Sequence, residues 1–399
     1  MTRGMVRIYI MASSGFVQAD NATIVTMSGV KIPRIMTFDI LRGWFLVGIL
    51  IDHLAFFPNG LDWWSARGGL FVTMAEGFFL ISGIILGIVR GAKLVDEPFR
   101  NVAKLLLTRG WQLYVTSVVL TLFFTLLGLT VYQGAIGLKP DIIAPGTPVW
   151  QIIWETITLQ YFYGWADYLR LYAVFLLLSP VLMWLLRRGK WYIGLAASLA
   201  VWLLFPDSNT TNWMDQEKLQ LLSWQLLFYG GMTIGFYWPK LQSGWQSLSQ
   251  KTRRVTLASI WAVGGMTLLY NVAIMLSTMG YNFSFIGATP QLQHDLYVLF
   301  FDKERLPITR IALFMLWFWG WFALVRKFEK PILRVLGWLL IPYGTNSLYV
   351  YTVQAFVIFF GQIYFTSGSI AFNFLLSVIF ILIPLVMLRY NILGKIIPR

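Results

Sequence analysis

MTFDILRGWFLVGILIDHLAFF, residues 36–57, is long and apolar enough to cross about 30 Å of hydrocarbon as a helix, yet it carries four ionisable groups. Nine further stretches have a similar length and polarity, although one is short for a full crossing; their approximate limits are 69–89, 111–132, 168–186, 191–205, 221–238, 255–278, 306–325, 345–365 and 369–388. A helix pairs its own backbone polar groups, as lipid requires. The sequence therefore predicts an all-α, polytopic membrane bundle of about ten transmembrane helices.

The composition argues against a water-soluble globular domain. Of the 399 residues, 58% are hydrophobic and 12% are charged, whereas soluble domains carry about 25% charged residues. The 19 Trp, 18 Tyr and 31 Phe residues suit anchoring at the two membrane interfaces.

The net charge of +14 raises nucleic acid as a partner, but nucleic-acid binding needs the cations gathered on one aqueous face. The Lys and Arg residues lie instead in short clusters between apolar runs, so we expect the lipid bilayer, and no nucleic acid, as a partner. The chain has no Cys and two His residues. Disulfides and thiolate sites are therefore excluded, and we predict no metal site.

The distribution of Lys and Arg between the loops predicts the orientation, because cytoplasmic loops retain the positive excess. Most of these residues fall on the side of the two termini, which places both termini in the cytoplasm. We expect the protein to lie in the plasma (inner) membrane. Residues 1–35 are predicted to be a disordered cytoplasmic leader, 36–388 the transmembrane domain and 389–399 a cytoplasmic tail. The outward-facing loops 133–167 and 279–305 are long and acidic, and they offer polar surface to a hydroxyl-rich molecule.

The first predicted span contains the densest group of charges. Arg42 and His53 are eleven residues apart, which brings them within about 20° of the same helix face, with an axial separation of about 16 Å. Asp39 lies three residues before Arg42 and can pair with it. A charge in lipid is costly, so these residues are functional candidates. The alternatives are an Arg42 that snorkels to the interface beside Asp39 and a His53 that is an ordinary hydrogen-bonded residue.

Glu76 is the ionisable residue of the second predicted span. It shares a helix face with Gly83 and Gly87, and small residues of this kind pack closely against a neighbouring helix. Glu76 is therefore expected to point into protein, at a depth similar to that of His53. A His53–Glu76 pair would hold the imidazole in one tautomer and support its cationic form. The alternative is a structural Glu76 that is hydrogen-bonded to a hydroxyl such as Ser82.

Arg109 and Tyr114 lie at the cytoplasmic start of the third predicted span, next to a basic loop. Such a cluster can bind phosphate groups. It can equally serve only to orient the helix in the membrane.

Taken together, these residues resemble a known family. Arg42 and His53 separated by ten residues, followed by EGFFLISG at 76–83, are similar to the integral-membrane acyltransferases of acyltransferase family three, and most similar to the OpgC branch. Weaker similarities occur along most of residues 36–388; they are RGWQLY at 109–114, DYLRLY at 167–172, WQLLF at 224–228 and GTNSL at 344–348.

The resemblance implies a ten-helix bundle that takes an acyl group, of the succinyl or acetyl class, from cytoplasmic acyl-CoA and delivers it to a hydroxyl of an extracytoplasmic glycan. The essential Arg–His motif of the family corresponds to Arg42 and His53, and its phosphate-binding motif corresponds only to Arg109. Where relatives often have a further Arg, this chain has Leu105 and Leu106, and Gln354 stands where relatives often have a His.

We therefore expect His53 to act as the general base, with Glu76 orienting it. The residues expected to hold the acyl-CoA donor are Arg42, Arg109 and Tyr114, and those expected to contact the acceptor or acyl group are Asp52, Ser82, Asp167 and Asn346. The alternative function is a secondary transporter or flippase for a glycan or lipid-linked sugar, which also needs buried charge. A non-catalytic scaffold would leave the intramembrane charges unexplained.

Overall fold

The computed structural model describes residues 34–62, 65–132, 146–204 and 213–394, together with short strands nearer the N-terminus. Within these residues the helices are α1 (Met36–Leu54), α2 (Met74–Leu86), α3 (Phe99–Thr130), α4 (Val149–Ile157), α5 (Asp167–Arg187), α6 (Trp191–Leu203), α7 (Trp213–Phe236), α8 (Trp238–Ser247), α9 (Gln250–Thr278), α10 (Pro290–Phe300), α11 (Ile308–Lys327), α12 (Glu329–Thr345), α13 (Ser347–Tyr364) and α14 (Ile370–Arg389).

Four short strands lie in the predicted leader and pair as two antiparallel hairpins; they are β1 (Tyr9–Ala12), β2 (Gly15–Gln18), β3 (Ile24–Val25) and β4 (Lys31–Ile32). The sequence predicted a disordered leader, so these paired strands differ from the prediction. The cytoplasmic location of the leader and tail stays a prediction. Parts of the predicted leader, tail and 133–167 loop lie outside the described residues, and these parts include Asp141.

All ten predicted spans are helical, and within the described ranges seven helices are long and apolar enough to cross a membrane. The seven are α2 with the turns that continue it to Leu94, α3, α5, α9, α11, α13 and α14. The chain is therefore a multi-pass integral membrane protein. The remaining three predicted spans differ from them: α1 carries several charges, α6 has only 13 residues, and α7 has charged residues in its first turns and further polar residues at 220, 223 and 225. The total of ten crossings stays a prediction.

Close backbone contact joins α2 to α7. A Cβ atom at Gly83 would overlap the carbonyl oxygen of Phe228, and one at Gly235 would overlap that of Ile84. Only glycine permits this approach, as at other helix contacts in membranes. The prediction that the Gly83 face of α2 packs on protein is confirmed.

Helix α1 lies at the centre of the bundle, and most of its residues are buried. Helix α12 packs on its first half, where a Cβ at Gly344 would overlap the carbonyl oxygen of Asp39. Helix α13 follows its whole length, since Gln362 Nε2 donates to the carbonyl oxygen of His53 at 2.6 Å and Gln354 Nε2 donates to that of Leu46 at 3.1 Å. The charges of α1 therefore face protein on several sides.

The first turn of α2 lies beside the middle of α1. The Phe45 ring packs against Gly77, and the Met74 side chain packs against Gly48. This register places Glu76 near the level of residues 45–48, about 10 Å along the α1 axis from His53. The loop between α1 and α2 therefore descends into the bundle before α2 begins.

Candidate functional site

A cleft of about 800 Å³ opens between the inner ends of α1, α2, α3 and α5. Four cations line this inner cleft, and its lining residues include no carboxylate; the cations are Arg42, Arg90, Lys104 and Arg109. Ser82, Asn101, Gln112 and Tyr172 add polar groups to the lining. A cavity with this charge favours a ligand that carries several negative charges.

Arg42 reaches the inner cleft from α1. Its Nη2 donates to Ser347 Oγ at the start of α13, and its guanidinium carbon lies 6.0 Å from the centre of the Phe78 ring. The buried Nε of Arg42 has no hydrogen-bond partner. The predicted Asp39–Arg42 pair is wrong, because Asp39 Oδ2 accepts from Arg34 Nε at 2.7 Å. Arg42 is therefore left to face the cleft.

Ser82 and Arg109 also lie in the inner cleft, as expected for ligand-binding residues. The Ser82 hydroxyl is buried and has no hydrogen-bond partner. Arg109 Nη1 donates to Gln112 Oε1 at 3.4 Å. Both side chains are thus available to a ligand in the cleft.

Tyr114 and Asn346 do not line the inner cleft. The Tyr114 hydroxyl donates to the carbonyl oxygen of Ile157 at the end of α4, at 2.7 Å. Asn346 Nδ2 donates to the carbonyl oxygen of Pro342 at 3.0 Å, in the junction between α12 and α13. The assignment of these two residues to ligand binding is not supported, because both side chains complete local structure.

At the opposite end of α1, the His53 ring is anchored to its own helix. Its Nδ1 lies 2.7 Å from the carbonyl oxygen of Ile49. A carbonyl oxygen can only accept, so Nδ1 carries the proton and Nε2 carries the lone pair. The backbone of α1 therefore fixes the tautomer that a general base needs.

Glu76 does not pair with His53, so this prediction is wrong. Its carboxylate accepts from Arg310 Nε at 2.7 Å and also from Arg310 Nη2, while its other oxygen accepts from the Thr73 backbone at 3.1 Å. Glu76 and Arg310 are both fully buried. The physical reason is the register of α2 on α1, which holds Glu76 well below His53.

Arg310 is a site residue that sequence reasoning missed. It lies inside the predicted span 306–325, and an ionisable residue inside a predicted span is the same signal that marked Arg42. Its Nη1 also donates to the carbonyl oxygen of Phe301 at 2.5 Å. Arg310 thereby joins α2, α11 and the end of α10.

Asp52 and Asp167 are engaged by neighbours. Asp52 precedes His53 in the chain, and its Oδ1 accepts a hydrogen bond from the Ser65 hydroxyl. Asp167 Oδ1 accepts from Nη2 of the fully buried Arg170 at 2.9 Å. Asp52 therefore lies beside the candidate base, whereas the structure gives Asp167 a role in holding Arg170.

Lys303 is a second missed residue. It lies in the segment between α10 and α11, and its ammonium is within electrostatic range of Asp52, His53 and Glu76. We call Asp52, His53 and Lys303 the outer cluster. The sequence carries no signal for Lys303, because its position depends on hydrogen bonds from α6 and α7.

An aromatic layer lies between the inner cleft and the outer cluster. The Phe79 ring centre is 6.5 Å from that of Tyr172, which lines the cleft, and 5.6 Å from that of Tyr168. Tyr168 contacts the Tyr351 ring at 6.1 Å on one side and the Lys303 ammonium at 5.8 Å on the other. His53 does not line the cleft, and these rings form a continuous series of contacts from the cleft to Lys303.

A family model described as OpgC protein matches residues 34–393, which include every helix of the structure. The chain belongs to the OpgC family. Searches of the curated proteins and of the solved structures found no match.

Membership of the OpgC family confirms the resemblance drawn from Arg42, His53 and the motif at 76–83. It also indicates an acyltransferase-like membrane protein, since OpgC is associated with the succinylation of periplasmic glucans. The two ends of α1 in this OpgC-family protein therefore differ in chemistry: one end faces a basic cleft, and the other carries an imidazole with a defined tautomer.

Proposed function

We propose that this protein is an O-acyltransferase that moves an acyl group, of the succinyl or acetyl class, from cytoplasmic acyl-CoA to a hydroxyl of an extracytoplasmic glycan. The observation that carries the proposal is the inner cleft, whose lining residues include four cations and no carboxylate. One of these cations, Arg42, lies on the same helix as His53. Family membership supports the reaction class.

The inner cleft suits the phosphate groups of coenzyme A. Arg90, Lys104 and Arg109 would bind the phosphates, because guanidinium and ammonium groups form strong charge-assisted hydrogen bonds with phosphate. Arg42 lies at the start of the path toward His53, and its unpartnered Nε faces a region that also contains the unpartnered Ser82 hydroxyl. Both atoms could hydrogen-bond to the donor's arm.

His53 would act as the base in acyl transfer. Its Nε2 removes the proton of the acceptor hydroxyl, the hydroxyl oxygen forms an ester bond to the acyl carbon, and the carbon–sulfur bond breaks to release the CoA thiol, which takes up a proton. The Ile49 carbonyl, rather than Glu76, keeps Nδ1 protonated during this step. A transient acyl group on His53 is an equivalent two-step version of the same reaction.

The axial separation of about 16 Å between Arg42 and His53 is comparable to the length of a pantetheine arm. The aromatic layer connects the inner cleft to the outer cluster, so the arm of the donor would pass Tyr172 and Phe79.

The test is transfer by the purified protein in lipid nanodiscs, with acyl-CoA donors tried one at a time and an oligoglucan acceptor. We expect His53→Ala to abolish transfer and His294→Ala, at the other histidine of the chain, to retain it. An active His53→Ala variant would remove the mechanism. Glycan movement across proteoliposomes without acyl transfer would instead favour the transporter alternative.

A further inference from the structure

The backbone around Lys303 is held inside the bundle by side chains of α6 and α7. Trp224 Nε1 donates to the carbonyl oxygen of Lys303 at 2.9 Å, and Ser223 Oγ donates to that of Glu304 at 2.6 Å. Trp202 Nε1 donates to the carbonyl oxygen of Leu306 at 3.1 Å. Three donors on three carbonyls fix the direction of this segment, which points the Lys303 side chain toward Tyr168.

The Lys303 ammonium forms no direct ion pair with the described residues, because no carboxylate of theirs lies within 4.0 Å of it. Three nearby acids have other hydrogen-bond partners: Glu76 has Arg310, Asp52 has the Ser65 hydroxyl, and Asp302 has backbone N–H groups of its own turn. Glu304, the next residue in the chain, acts on the ammonium from a longer distance. Lys303 therefore lies among acids without contacting any of them directly.

The surroundings of Lys303 favour its charged form. The Tyr168 hydroxyl, and after it the Glu304 carboxylate, hold the pKa of Lys303 above its usual value, although burial acts in the opposite direction. A partly buried cation without a direct ion pair favours the approach of an anion. Lys303, Asp52 and His53 each keep part of their surface accessible, so a ligand can reach the group.

We propose that Lys303 forms a carboxylate-binding subsite beside His53. The carboxylate would come from one of two sources: the free end of a dicarboxylic acyl group, or an acidic sugar of the acceptor. The inference rests on the proposed function, because the ligand is one of the two reactants that meet at His53. It assigns Lys303 to substrate selection rather than to proton transfer.

The first test compares reactants with and without a carboxylate, for the donor and for the acceptor. Succinyl-CoA and butyryl-CoA carry acyl chains of equal length, and transfer from each is measured to a neutral oligoglucan and to the same oligoglucan bearing a glucuronate. We expect Lys303→Met to lower the kcat/KM ratio between the charged and neutral member of one pair by tenfold or more. Lys303→Arg should retain most of the ratio, and the matched control Arg305→Met should leave it unchanged.

The pair that responds identifies the source of the carboxylate. An equal loss for both donors and both acceptors would overturn the proposal, because a general electrostatic or structural role of Lys303 affects all reactants alike. Unchanged ratios in Lys303→Met would overturn it as well.

A second test does not depend on transfer. The thermal stability of the full-length protein is measured with monomethyl succinate against methyl butyrate, and with methyl glucuronoside against methyl glucoside. We expect an acidic ligand to raise the melting temperature more than its neutral partner, and Lys303→Met to remove that difference. If no donor supports transfer but this difference exists, the proposed function fails and the subsite stands. If the wild type shows no difference for either pair, the subsite is refuted.

Discussion

Arg310 on α11 donates from Nε to Oε1 of Glu76 on α2 at 2.7 Å, and both side chains are fully shielded from solvent. This contact joins segments 234 positions apart in the chain. It holds the first turn of α2 against α11, next to the middle of α1. The charge pair therefore helps to set the height at which α2 packs against α11.

Loss of either charge should destabilise the protein. Glu76→Gln leaves the Arg310 guanidinium buried without a counterion, and we expect a loss of about 3 to 5 kcal/mol in unfolding free energy. Glu76→Leu combined with Arg310→Met should recover much of the stability, because the uncompensated charge is gone. Thermal unfolding in detergent measures both. A Glu76→Gln protein of wild-type stability that loses turnover would return Glu76 to a role in catalysis.

Two cations of the inner cleft should govern donor affinity. Arg109→Met removes a charged hydrogen-bond donor to phosphate, and Arg42→Met removes a charged donor to the arm of acyl-CoA. Each is worth about 1.5 to 3 kcal/mol, so the KM for acyl-CoA should rise about tenfold or more. Arg334→Met is the matched control, because this exposed cation lies on α12 and outside the cleft lining. Steady-state kinetics over a range of donor concentrations gives the result. An unchanged KM in both variants would place the donor elsewhere.

Ser82→Ala should change stability and binding in opposite directions. The Ser82 hydroxyl is buried without a partner, so its removal should leave the melting temperature unchanged or raise it, while donor affinity falls. Ser179→Ala is the comparison, since its hydroxyl donates to the carbonyl oxygen of Phe175 at 2.7 Å. That variant should lose some stability and keep its donor affinity. Equal donor affinity in Ser82→Ala and wild type would show that the hydroxyl does not contact the donor.

Adjacent glycines on α7 should respond differently to alanine. A Cβ at Gly231 would overlap the carbonyl oxygen of Leu80 on α2, whereas a Cβ at Gly230 meets no atom within 4 Å. Gly231→Ala should therefore separate α2 from α7 and give little folded protein, and Gly230→Ala should fold normally. Size-exclusion chromatography after mild solubilisation reports both. Similar yields of the two variants would argue against the close contact.

The orientation can be tested by labelling, because the chain contains no cysteine. Ser247→Cys at the end of α8 and Ser284→Cys after α9 both place the new thiol at an exposed position. In intact cells, an impermeant maleimide should label Cys at position 284 and not at position 247, since the positive-inside rule places α8 in the cytoplasm. The reverse pattern would invert the predicted orientation.

Local regularities of the chain account for what could be predicted of the fold. The apolar runs identified ten of the fourteen α-helices that the structure describes, and the spacing of Gly83 and Gly87 identified the face of α2 that packs on α7. The contacts between distant segments could not be predicted in this way. Asp39 pairs with Arg34 rather than with Arg42. Arg34 precedes the helix and Arg42 lies three residues after Asp39, so both were within reach, and packing decided between them.

The sequence by itself determined a multi-pass helical membrane protein of the OpgC family in which Arg42 and His53 share one face of α1, because helical periodicity depends only on spacing along one segment. Tertiary structure alone decided that Arg310 neutralises Glu76 and that Lys303 comes within electrostatic range of His53. The physical reason is vertical register: the height at which one helix meets another is set by side-chain packing such as Phe45 on Gly77 and by indole donors such as Trp224, which spacing along one helix does not encode.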